Sequence, residues 1–283
     1  MSDAVIGDLE NKAARCRRNV LRMIEAGGAG HMGGALSCID IAAALYFQVM
    51  KVDPANPRLP DRDRFILSAG HKCMAQYAVL AERGFFGKEV LDTYGSLNTK
   101  IPGHPDMHKL PGVEANTGAL GHGLSIALGM ALGLRLEGKK SRTFVIMGDG
   151  ELAEGSNWEA AAAAAHYKAD NLVLFVDNNG LQIGGKTTDV MNMDPVGDHF
   201  KAFGWSVTDI DGNSMKEILD AVGKVPFTPG KPSLIVAHTV KAKGISFAEG
   251  VAKYHYWTPA GDELTQAIAE VDARIQKTEE AKR

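Results

Sequence analysis

Two short stretches bring together side chains that can bind a cation and an anion at once. Gly148-Asp149-Gly150-Glu151-Leu152-Ala153-Glu154-Gly155 sets a carboxylate between glycines, and Asp177-Asn178-Asn179-Gly180-Leu181 adds a second carboxylate and two amides. Asp149 and Asn179 offer hard oxygens suited to Mg²⁺, a metal commonly held by one or two protein oxygens together with phosphate oxygens. Four of the nine histidines stand in turns or loops able to face a ligand: His31 in Gly30-His31-Met32-Gly33-Gly34, His71 after Ala69-Gly70, His104 between prolines, and His255 in Tyr254-His255-Tyr256-Trp257. Imidazole titrates near neutrality and can pass protons either way. Each motif alone has an ordinary explanation. Gly-Asp-Gly and Asn-Asn-Gly make turns, glycine-flanked histidines occur in linkers, prolines fix a loop unaided, and a histidine among aromatics is usually packed. The spacing is more informative: 27 residues separate Gly150 from Asn178, enough for one helix and one strand.

The intervening pattern supplies those elements. Residues 142–147 form an apolar, partly β-branched run of strand length, residues 157–168 are alanine-rich and helical, and residues 171–176 form another buried strand. Both stretches therefore close strands at the carboxyl edge of a parallel sheet, where open α/β sheets place ligands. Further strands are expected at 63–68, ending near His71, and at 205–210 and 233–239. Helices are expected at about 9–26, 37–50, from His71 to about 83, 117–137, 194–203, 215–223 and 260–283. Ser37-Cys38-Ile39-Asp40 reads as a capping box for the second of these, and the glycines of 117–123 let amides and a helix N-terminus face an anion. The alternation predicts a three-layer α/β/α fold with a mainly parallel sheet, as one domain over residues 1–283 with a charged C-terminal helix.

Bulk properties exclude several classes. A chain of 283 residues that is 45% hydrophobic can bury a large core. A net charge of −3 gives no broad field for nucleic acid or an anionic membrane. Cys16, Cys38 and Cys73 lack metal or redox spacing, as expected for reduced thiols in a cytoplasm. The acidic, interrupted N-terminus does not resemble a signal peptide, and no apolar run reaches membrane-spanning length.

Taken together, the motifs resemble the N-terminal, diphosphate-binding half of transketolase, a thiamine diphosphate enzyme, over about residues 10–258. The resemblance rests on Gly30–Gly34, Leu67-Ser68-Ala69-Gly70-His71, Pro102-Gly103-His104-Pro105, Thr117-Gly118-Ala119-Leu120-Gly121, Gly148–Gly155, Asp177–Leu181 and His255. It implies Asp149, Asn179 and the Leu181 carbonyl as ligands of Mg²⁺ (with Ca²⁺ or Mn²⁺ as substitutes), and His31, His71, His104 and His255 around the thiazolium and the sugar hydroxyls. It also implies that His71, Gly118, Leu120, Gly150, Glu154 and Asn179 contact the cofactor, with Glu154 near a subunit contact. Three positions depart from the usual pattern: Met32 for a proline, His122 for a glutamine and Gly184 for an aspartate.

The implied activity moves a two-carbon glycolaldehyde unit from a ketose (phosphate) donor to an aldose acceptor. The family also uses a glutamate from a pyrimidine-binding domain, which this sequence lacks. The expectation is therefore one subunit of a split transketolase, completed by a C-terminal subunit in an α₂β₂ assembly. The alternatives are an α-type chain of a 2-oxoacid dehydrogenase and a non-catalytic thiamine diphosphate-binding remnant. The histidines favour a polyol substrate, which needs many hydrogen-bonding groups.

Overall fold

The computed structural model describes residues 2–280; Met1 and residues 281–283, the end of the expected terminal helix, lie outside them. In chain order the elements are α1 (Asp3–Gly27), α2 (Met32–Ser37), α3 (Ile39–Ala44), β1 (Arg64–Leu67), α4 (Cys73–Arg83), α5 (Gly123–Leu136), β2 (Thr143–Gly148), α6 (Gly155–His166), β3 (Leu172–Asn178), β4 (Leu181–Gln182), β5 (Gly185–Lys186), α7 (Thr187–Val190), α8 (Val196–Ala202), β6 (Ser206–Asp211), α9 (Met215–Val222), β7 (Ser233–His238) and α10 (Glu263–Glu280). Five strands form a parallel sheet in the order β1-β2-β3-β7-β6, and β4 and β5 make a small antiparallel pair.

Strand periodicity explains the layers. Phe144, Ile146, Val173 and Phe175 join one core with residues of α1, α3, α4 and α9, whereas Val145, Met147, Leu172, Leu174 and Val176 join a second core with α5 and α6. Alternate residues of one strand point to opposite faces, so strands covered on both sides read as unbroken apolar runs. This is the expected three-layer arrangement. Helix α1 buries Ala13, Cys16, Val20, Met23 and Ile24. It ends where Gly28 takes a left-handed conformation (φ 76°) and donates its N–H to the Ile24 carbonyl at 2.8 Å, the usual way a glycine closes a helix.

Register brings the functional loops side by side. Gly148 lies opposite Asp177, Asp177 opposite Ala237, and Asn178 opposite His238. The loops after β2, β3 and β7 therefore leave the sheet together, with the turn after β1 beside them.

Two local expectations are corrected. Ser37 does not cap a helix: the chain is already helical from Met32 and kinks at Cys38 (φ −95°, ψ 2°). The Ser37 hydroxyl instead donates to Asp177 Oδ2 at 2.6 Å, and Asp40 takes the buried guanidinium of Arg17 at 2.6 Å. The long helix expected from residue 117 begins only at Gly123. The Gly121 amide, expected to meet an outside anion, donates to the chain's own Glu151 Oε1 at 2.9 Å.

Candidate active site

Asp149 stands at the carboxyl end of β2, and backbone amides aim its carboxylate. Oδ1 accepts from the Gly150 N–H at 2.8 Å and Oδ2 from the Gly180 N–H at 2.6 Å. The second bond brings the turn after β3 to Asp149, with Asn179 and Leu181 on either side of the donor. Asn179 Oδ1 accepts from Leu181 N at 3.2 Å. The Leu181 carbonyl accepts from Lys241 Nζ at 3.0 Å. Burial pushes the Asp149 carboxyl up to about 6; the charge of Lys72 opposes the shift and that of Asp177 adds to it.

Among the described residues no three His, Cys, Asp or Glu side chains gather as a self-sufficient metal site. One carboxylate, one amide and one carbonyl are a hard but charge-poor donor set. Such a set suits a divalent cation that brings anionic oxygens with it, as a diphosphate would. The residues present therefore fit Mg²⁺–diphosphate.

Beneath this set lies a charged cluster that sequence reasoning did not assemble. Lys72 Nζ is 2.6 Å from Asp177 Oδ2, and both side chains are buried. Asp177 also accepts from Ser37 and Thr239. Burial disfavours the Lys72 ammonium, yet Asp177, Cys38 and Asp149 together outweigh it and raise its pKa. Glu151 is buried as well; it accepts from Ser68, from Gly121 N and from Gly148 N, which ties the ends of β1 and β2 to the approach to α5. Lys72 directly follows the His71 turn, and nothing in its flanking residues signals that its ammonium turns inward.

Three of the four expected histidines form a triangle. Ring centroids are 5.2 Å apart for His31 and His71, 5.5 Å for His31 and His255, and 5.3 Å for His71 and His255. His31 precedes α2, and His255 closes a short 3-10 turn. A bridge between Gly30 and Trp257, with hydrogen bonds of 3.0 and 2.8 Å, clamps their segments together. Gly33 makes this possible, because a Cβ there would lie 2.6 Å from the Tyr254 carbonyl. Burial, with neighbouring positive groups, lowers all three: His71 to about 2, His255 to about 4, and His31 below its ordinary value. His255 Nδ1 is buried with no hydrogen-bond partner among the described residues.

His104 lies apart from the triangle, exposed, with its ring over Gly118. A Cβ at Gly118 (φ 154°) would fall 2.9 Å from His104 Cδ2, so glycine there seats the imidazole. His31, His71, His255, Gly118, Leu120, Asp149, Gly150, Asn179 and Leu181 all line one cavity of about 240 Å³. Glu154 does not line it; its stem packs on Gly121. Gly150 lines the cavity, but its N–H is already given to Asp149. Lys72, Glu151 and Lys241 line it too.

Known proteins share this arrangement of sequence and fold. Residues 10–271 match the family described as transketolase, thiamine diphosphate binding domain. The chain is 43% identical over 271 residues to one of the subunits of the apulose-4-phosphate transketolase of Phocaeicola vulgatus, covering 96% of each protein. It is 42% identical over 265 residues to the 6-deoxy-6-sulfo-D-fructose transketolase subunit SqwG of a Clostridium species, covering 94% of this chain and 96% of that one. Among solved structures, transketolase from Leishmania mexicana superposes with a TM-score of 0.85 at 28% identity, over 97% of this chain but 45% of that longer one.

Proposed function

The chain belongs to the transketolase family, as its N-terminal thiamine diphosphate-binding unit, and we propose that it moves a two-carbon ketol unit from a ketose phosphate to an aldose as one subunit of a split enzyme. The observation that carries this reading is the histidine triangle facing the same cavity as the Asp149–Asn179–Leu181 oxygens. An anion-and-metal anchor and a wall of uncharged imidazoles are what a diphosphate cofactor and a polyol substrate each require.

Asp149, Asn179 and the Leu181 carbonyl would hold Mg²⁺, or Ca²⁺ or Mn²⁺ in its place, against the diphosphate. Bound thiamine diphosphate supplies the nucleophilic carbon and the electron sink. His31, His71 and His255, kept neutral by burial, each present one N–H donor and one acceptor nitrogen. Neutral rings can orient sugar hydroxyls and hold a proton at the substrate carbonyl oxygen without fixing a positive charge there. His255 Nδ1 is buried and unpartnered among the described residues, and a ligand would supply its missing hydrogen bond. His104, outside the cavity lining with its ring over Gly118, would meet the sugar chain.

A partner fits both the cavity and the relatives. Complete small-molecule sites enclose roughly 300–1,000 Å³, and the cavity here is about 240 Å³. The relatives matched end to end bear the names of transketolase subunits. The proposed partner is a C-terminal subunit carrying the pyrimidine-binding domain, in an α₂β₂ assembly with no role for nucleic acid or membrane. Among the described residues no helix is long and apolar enough to cross a membrane. Three buried, unpaired thiols support a cytoplasmic location. The two relatives are named for an apulose phosphate and for a sulfo-sugar, so the proposal extends to the class of ketose donors and not to one sugar.

Asp149→Ala tests the anchor. In a titration of the assembled enzyme it should abolish Mg²⁺-dependent thiamine diphosphate binding; unchanged cofactor affinity would overturn the assignment.

A further inference from the structure

Lys241 is 2% exposed, and among the described residues no carboxylate lies within ion-pair distance of it. Lys72 has taken Asp177. Among the same residues the only acceptor for the Lys241 ammonium is the neutral carbonyl of Leu181, at 3.0 Å. The side chain is held in place: a Cβ on Gly33 would lie 3.1 Å from its Cε and Cγ. Its backbone is pinned as well, by Ala242 N to the Gly33 carbonyl at 2.9 Å, Gly250 N to the Lys241 carbonyl at 3.0 Å, and Arg17 Nε to the Lys243 carbonyl at 2.9 Å. A buried ammonium with one neutral acceptor, facing the cavity that Asp149 and Asn179 also line, is short of an anion.

The same carbonyl is the third oxygen of the proposed metal set. A divalent cation on Leu181 O would stand within a few ångströms of the ammonium, and the two positive charges repel at that range. We propose that Lys241 is a placeholder for the metal: its ammonium holds the Leu181 carbonyl until a diphosphate-type anion draws it away, so that cation and anion are taken up together. The idea rests on the metal site assigned above. Its consequence is that a divalent cation alone binds poorly, although its protein oxygens are already oriented by Gly150, Gly180 and Leu181 amides.

Mn²⁺ binding to the full chain, followed by electron paramagnetic resonance, tests this without any turnover. Wild type, Lys241→Met and Lys241→Gln are titrated with and without inorganic pyrophosphate, and circular dichroism verifies that each variant is folded. The glutamine variant removes the charge while keeping a polar group. Wild type should bind Mn²⁺ at least tenfold more tightly when pyrophosphate is present. Both variants should bind Mn²⁺ alone at least tenfold more tightly than wild type, with a smaller gain from pyrophosphate. Variant affinities for Mn²⁺ alone that equal or fall below wild type would overturn the placeholder. Asp149→Ala separates the two levels. If no Mn²⁺ binding in any protein is sensitive to it, the metal site itself is wrong; a sensitive site that ignores Lys241 sinks the placeholder alone.

Discussion

His71 sits between a lysine and two other imidazoles, and each neighbour, like burial itself, disfavours charge on its ring. The folded-state values, about 2 for His71 and about 4 for His255, lie below the unfolded value of about 6.5. Between about pH 4 and 6.5 the unfolded chain therefore binds protons at these positions that the folded chain does not. Their stability contribution is full above that window and shrinks as pH falls through it. Asp149, held up to about 6, works in the opposite sense over part of the window, so ring signals and not melting temperature are the right readout. In NMR titrations His71 and His255 should stay neutral from about pH 7.5 to 5; a midpoint near 6.5 for either would contradict the site electrostatics. At this scale the sequence was legible where residue type and turn chemistry coincide, as for Asp149, Asn179, His31, His71 and His255, which line one cavity. It was silent on Lys72 and Lys241, because nothing in a lysine's flanking residues says that its ammonium turns inward.

The Lys72–Asp177 pair holds elements together as well as lining the cavity. Asp177 is the next-to-last residue of β3, Lys72 closes the turn after β1, Ser37 ends α2 and Thr239 follows β7. Removing one partner of a buried pair leaves an uncompensated charge and typically costs about 3–5 kcal/mol. Ser37 and Thr239 still donate to Asp177, which places Lys72→Met at the lower end of that range. Lys72→Met with Asp177→Asn should recover much of the loss, because no bare charge remains. Urea denaturation of the three proteins checks this; a loss under about 1 kcal/mol for the single variant would show that the pair does not brace the strand ends. The strands themselves were readable, since residues buried on both faces leave an unbroken apolar run. Helix α2 was not: Gly33 and Gly34 look like a linker in isolation, and only the approach of the Tyr254 carbonyl and of Lys72 gives them a reason to be glycine. The two-residue strands β4 and β5 are too short to leave a pattern, yet β4 carries Leu181 and Gln182 to the cavity.

At the scale of the molecule, one sheet edge gathers the Asp149, Asn179 and Leu181 oxygens proposed to anchor metal and diphosphate, a triangle of neutral imidazoles and a buried charge cluster, all around a cavity of about 240 Å³. The chain superposes on 45% of a longer transketolase and matches proteins named as subunits over almost their whole length. On the proposed function, this chain anchors thiamine diphosphate and leaves its activation to a second chain. The most direct measurement is the rate of ketol transfer from a panel of ketose phosphates to an aldose, with saturating thiamine diphosphate and Mg²⁺, for this chain alone and mixed with a subunit carrying the pyrimidine-binding domain. A split enzyme should show background turnover for the chain alone and sustained turnover for the mixture, lost again with Asp149→Ala. Robust turnover by the chain alone would contradict this reading.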